Sequence, residues 1–194
     1  MSGAAAEQPI KSFATQRAFE TWLARNHDRS DGIWLTIARK GSGVRSVTYA
    51  EAVEVALCYG WIDGQGKRFD DQQYVQKYTP RRARSRWSKI NRDRAMGLID
   101  QGRMQPAGLR EIERAKADGR WDAAYDSPST IEVPDDLREA LRRNKKADAA
   151  FASLDGRNRY AILYQVHDAK RPETRARRIE KFVAMLSEGK RLYP

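Results

Sequence analysis

Two periods of apolar spacing run along this chain, and the predicted architecture changes where one gives way to the other. Phe19, Trp22 and Leu23, following Thr15, fall on one side of a short helix ending near His27. Asp31 and Gly32 break the chain. Ile33, Leu35 and Ile37 then alternate with Trp34, Thr36 and Ala38, the period-two signature of a strand over 33–38. After the Gly-Ser-Gly turn at 41–43, Thr48 and Glu51 have capping-box spacing, and Tyr49, Val53, Ala56 and Leu57 form a stripe predicted to be buried. Gly60 is placed to end that helix. Two strands are predicted over 61–68 and 73–79, with Asp70 and Asp71 as turn residues and Pro80 as the stop. Residues 1–11 are small and polar and read as a mobile tail.

Beyond the hairpin the period is helical throughout. Ser88 can cap a helix running to about Gln101, and Pro106 suits a first helical turn that carries Leu109, Ile112 and Ala115 as far as Gly119. A Ser-Pro-Ser-Thr string at 127–130 marks a linker. Pro134 opens a helix with Leu137 and Leu141, and a second carries Ala147, Phe151 and Leu154. On a third, Tyr160, Leu163, Tyr164 and His167 share a face; on a fourth, begun by Pro172, Ile179, Phe182, Val183 and Leu186 repeat that spacing. Helices this short need partners to be stable. The fold class is therefore α+β: an N-terminal helix, strand, helix and β-hairpin unit, with domain bounds at 12–126, followed by a mostly helical C-terminal subdomain at 131–194.

Composition narrows the function classes. A hydrophobic fraction of 40% with five Trp, eight Tyr and five Phe supplies a real core, and one cysteine cannot form an internal disulfide. The N-terminal string has no basic start followed by an apolar core, and no run is long enough to span a bilayer, so a cytoplasmic protein without a membrane span is expected. Lys and Arg total 37 against 26 Asp and Glu, a net charge of +11. The excess is local: residues 80–94 carry seven basic groups and Asp93 alone in opposition, and 138–194 carry fifteen against seven. An anionic partner is the natural complement.

The chemistry concentrates in residues 59–91, where two Trp, three Tyr and eight basic residues interleave. Rings stack on planar groups and guanidinium forks phosphate or carboxylate, so Tyr59, Trp61, Asp63, Arg81, Arg82, Ser85, Trp87, Lys89 and Asn91 are the candidate ligand-binding residues. Strand alternation puts Trp61 and Asp63 on one face. A helix start at Ser88 would add free N–H groups beside the arginines. Arg175, Arg177 and Arg178 form a secondary basic patch. Two histidines, His27 and His167, are too few for a multi-His metal site, and Cys58 reads as a buried thiol, so no metal, cofactor or catalytic set is expected.

Five strings in order, ALCYGWIDG at 56–64, YTPR at 78–81, SRWSKIN at 85–91, DGRWD at 118–122 and AKRPETR at 169–175, resemble the bacterial YdeI/OmpD-associated family, also described as bacteriocin-protection proteins. The resemblance covers about residues 30–194 and implies a role in envelope stress or resistance to bacteriocins and cationic peptides. It brings no catalytic residues. Direct contact with a porin would require export, so the expected role is indirect. Three readings stay open: a non-enzymatic protection protein that binds an anionic small molecule or nucleic acid, a protein-interaction module built on the C-terminal helices, and an enzyme or sensor with a pocket near Tyr59, Trp61 and Asp63.

Overall fold

The computed structural model describes residues 8–194. The chain divides into two compact units, one ending at Ala124 and the other running from Tyr125 to Pro194. In the first, strands β1 (Ile10–Lys11), β2 (Ile33–Ala38), β3 (Trp61–Arg68) and β4 (Gln73–Pro80) form one sheet in the order β1-β2-β4-β3. Helices α1 (Gln16–Asn26) and α2 (Tyr49–Cys58) precede β2 and β3, while α3 (Lys89–Asp100) and α4 (Pro106–Ala117) follow the hairpin.

The part of the expected tail that is described is not loose. Ile10 and Lys11 pair parallel to Trp34 and Leu35, a two-residue strand too short to show a period; residues 1–7 of the expected tail lie outside the described residues. The other pairings are antiparallel, and the run Ile33, Tyr78 and Asp63 crosses three strands in register. Between Asp63 and Gly66 the register shifts by a bulge, which returns Lys67 to the face opposite Tyr78.

Strand alternation sends Ile33, Leu35 and Ile37 inward against Phe19 and Leu23 of α1 and Val53, Ala56 and Leu57 of α2, all nearly without exposed surface. Each such aliphatic side chain contributes about 1.5–3 kcal/mol by leaving water. The Thr48 and Glu51 capping box forms as spaced: Thr48 Oγ1 accepts from Glu51 N, and Glu51 Oε2 accepts from Thr48 N. Tyr49, assigned to the buried stripe, is instead 39% exposed, because the cap places it on the first turn beyond the core. Gly60 has φ of +73° and turns the chain directly into β3.

The second unit is four helices, α5 (Asp135–Arg142), α6 (Lys145–Ala152), α7 (Gly156–Asp168) and α8 (Pro172–Ser187). Leu137, Leu141, Phe151, Ile162, Leu163, Val166, Phe182 and Leu186 make its core. On α7 the buried face is Ile162, Leu163 and Val166, so the Tyr160, Tyr164 and His167 side of the predicted stripe is not the packed one; His167 is exposed and its Nε2 lies 2.9 Å from Glu132 O.

Two arginines expected to form a surface patch fasten this unit instead. Arg175 binds Asp136 through Nε (2.5 Å) and Nη2 (2.8 Å) and donates from Nη1 to Val166 O, while Arg178 donates to Gln165 O and lies 3.6 Å from Asp168. They meet the carbonyl-rich end of α7, where cations are favoured. Arg177 alone of the three is exposed. The hydrogen bonds from Arg175 hold the Asp136 carboxyl below its ordinary value. A folded pKa below the unfolded one means the contribution is fully present above the usual carboxylate range and is lost as pH falls through the lowered folded value. With both partners partly solvated, Asp136→Asn costs about 1 kcal/mol at neutral pH and less near pH 3, below the ordinary carboxylate value. Urea unfolding at the two pH values checks this; equal losses at both would remove the ion pair from the account.

Candidate anion-binding site

The loop after β4 is held by hydrogen bonds from several sides. Pro80 ends the strand, and Arg81 N–H donates to Gly60 O at 2.9 Å, fixing the exit. Arg81 then turns inward. It is 6% exposed, its guanidinium lies 3.6 Å from the centre of the Trp87 ring, and Nη1 donates to Arg86 O at 3.2 Å. A delocalised guanidinium tolerates this burial better than an ammonium because it is weakly hydrated and stacks on aromatic faces.

Two more arginines hold the loop from outside it. Arg120 donates to Ser85 O at 2.7 Å and is itself held by Asp118, which Nε meets at 2.8 Å from both carboxylate oxygens. That pairing keeps the Asp118 carboxyl below its usual value. Arg114, paired with Glu111, reaches Arg81 O at 3.5 Å. Three of the loop's carbonyls therefore accept from guanidinium groups, and inside it Ser85 Oγ accepts from Arg82 N while Ser85 N donates to Arg82 O. Held this way, the loop turns Arg82 and Arg84 outward. Both are exposed, and neither pairs with a carboxylate among the described residues. At its far end Ser88 caps α3 by accepting from Asn91 N at 3.2 Å, Lys89 is exposed, and the first turn holds no acidic residue.

The aromatic half of the expected site is elsewhere. Trp61 is 1% exposed, edge-on to Trp22 at 6.0 Å, and donates from Nε1 to His27 O. Trp87 is 2% exposed and packs edge-on against Trp121 at 4.8 Å. Tyr59 is buried beside the His27 ring, and burial raises its hydroxyl pKa. None of the three rings offers a face to a ligand. Trp61 and Asp63 do share a strand face, but Asp63 is half-buried and accepts from Tyr49 OH at 2.7 Å, so the two residues serve different neighbours. Burial, and then that hydrogen bond, raises the Tyr49 pKa. Asn91 contributes backbone to the cap.

Asp70 Oδ1 accepts from Gln72 N and Gln73 N, making the hairpin tip an Asx turn, and Asp71 pairs with Arg68. Burial pushes the Cys58 thiol up to about 11, which keeps it protonated. Among the described residues no cluster of three or more His, Cys, Asp or Glu could hold a metal, and no helix is long and apolar enough to cross a membrane. The residues that sequence reasoning missed are Arg114, Asp118, Arg120 and Trp121. Three of them lie in the DGRWD string, so the motif was visible but its target, the 81–87 loop, was not.

A four-stranded sheet backed by helices and a separate unit of four helices define a two-part α+β protein. The chain belongs to the family described as Domain of unknown function (DUF8412), whose model matches residues 11–111. Residues 130–189 match the family described as Bacteriocin-protection, YdeI or OmpD-Associated, so the resemblance expected over about 30–194 is found in the helical unit. No curated protein and no solved structure matches the chain.

Proposed function

We propose that this is a cytoplasmic, non-catalytic protein of bacteriocin-protection type that binds nucleic acid by its phosphate backbone, through Arg82 and Arg84 with Lys89 beside them. The observation that carries the reading is the clamped loop: two neighbouring arginines are exposed and have no carboxylate partner among the described residues, next to a capped helix start with no acidic residue in its first turn. Ordering cations close together is unfavourable unless an anion compensates them. Phosphate contacts of this kind give affinity without sequence choice, and helix-start N–H groups add to them. The buried indoles act by supporting Arg81, not by stacking on bases.

The reading is tested with a fluorescently labelled DNA duplex and the full chain at low salt. Wild-type protein is expected to bind, with affinity indifferent to sequence, and Arg82→Ala/Arg84→Ala to bind at least about tenfold more weakly, since each lost charge-assisted contact is worth about 1 kcal/mol or more. Both residues are exposed, so the variant folds. Absence of binding by the wild type at low salt would remove this function.

A further inference from the structure

We propose that the helical unit carries a binding site of its own: a groove of about 410 Å³ along α7 that takes a nucleotide, with the base against tyrosine rings and the phosphate on Arg157. The argument begins with the face of α7 that the core does not use. Ile162, Leu163 and Val166 are buried, whereas Tyr160 and Tyr164, four residues apart on the other side, line the groove with Gln165. Their rings lie 5.7 Å apart, and Tyr125 meets Tyr164 edge-on at 5.4 Å, which fixes the orientation of that ring. Tyr160 OH donates to Asp126 O at 3.1 Å, so this side chain is held from its tip as well.

The opposite wall is Tyr193, and it is held in place by a buried amide. Asn158 is 1% exposed; its Oδ1 accepts from Leu192 N (3.1 Å) and Tyr193 N (3.0 Å), and its Nδ2 donates to Tyr193 O (3.2 Å) and Asp155 Oδ2 (2.9 Å). Every bonding position of that amide is used. The wall is thus set by backbone contacts, independent of the tyrosine ring, and a preorganised wall costs little entropy on binding.

The groove's charge points to an anion. The Arg157 guanidinium lies 4.2 Å from the Tyr193 ring centre, makes no ion pair among the described residues, and no carboxylate lines the groove. Stacked by one face, a guanidinium keeps its N–H edge for phosphate. Gln165 adds an amide with both donor and acceptor for a base edge. Aromatic faces, one fixed cation and one amide, in a volume at the small-ligand end of the usual range, match a mononucleotide.

The full chain is titrated with adenosine monophosphate, adenosine and inorganic phosphate, following the Gln165 side-chain amide and the Tyr164 ring by NMR. Adenosine monophosphate is expected to shift both signals, with adenosine about tenfold weaker and phosphate alone leaving the Tyr164 ring unmoved. Arg157→Ala and Tyr193→Ala, both at exposed side chains, should each weaken binding by about tenfold with unchanged thermal unfolding. No shift at either residue with millimolar nucleotide, equal binding of adenosine and its phosphate, or undiminished binding in both variants would overturn the site. Arg82 and Arg84 take no part in it, so failure of duplex binding leaves this result to stand or fall separately.

Discussion

Replacing Trp87 by alanine is expected to destabilise the N-terminal unit by about 4 kcal/mol, the range for a large aromatic removed from a packed core, whereas Trp87→Phe costs less than about 1.5 kcal/mol. The indole is 2% exposed, carries the Arg81 guanidinium on one face and meets Trp121 at its edge, so truncation opens a cavity and strips a buried cation of its support. Its Nε1 is buried and has no hydrogen-bond partner among the described residues, so phenylalanine loses no polar contact there. Trp61→Ala has a cost of the same order, with one addition: His27 O loses the donor it now accepts from. Thermal unfolding reads both, as a fall on the order of 15 °C for either alanine variant. Were either to leave stability unchanged and abolish a binding activity, the indoles would be ligand contacts after all.

The second large effect is expected at Gly108. A methyl group there would sit 2.7 Å from Leu57 O and closer still to Cys58 O, both backbone atoms at the end of α2, with Met104 Sδ equally crowded. Helices α2 and α4 can cross this tightly because position 108 has no side chain. Gly108→Ala forces them apart and is expected to cost about 3 kcal/mol, the upper range for overpacking. The damage extends to the loop, because α4 carries Arg114, whose guanidinium holds Arg81 O. Urea unfolding measures the loss; a variant as stable as wild type would mean that α4 does not sit where the structure puts it.

Much of the fold was legible because local signals agreed with it. The strand over 33–38, the Thr48 and Glu51 box, the Asp70 turn and the starts at Ser88 and Pro106 are all set by residues within a few positions of one another. β1 escaped because two residues have no period and its strand is made by pairing with β2. The candidate site was half legible. Charge and exposure coincide at Arg82 and Arg84, but composition cannot distinguish a guanidinium turned outward from Arg81, which is turned onto an indole, or Arg175, which is closed on Asp136. That distinction is made by Trp87, Arg120 and Asp136, which lie six, thirty-five and thirty-nine positions from the Arg81 guanidinium, the Ser85 carbonyl and the Arg175 guanidinium that they hold.

Duplex affinity measured across a salt series, for the wild type and for Arg82→Ala/Arg84→Ala, tests the clamped cationic loop most directly. Each phosphate contact adds about 0.9 to the slope of log affinity against log salt, so losing two lowers its magnitude by about 1.8. A shallower line of that size is the predicted result. Parallel lines for the two proteins would show that these arginines meet no phosphate.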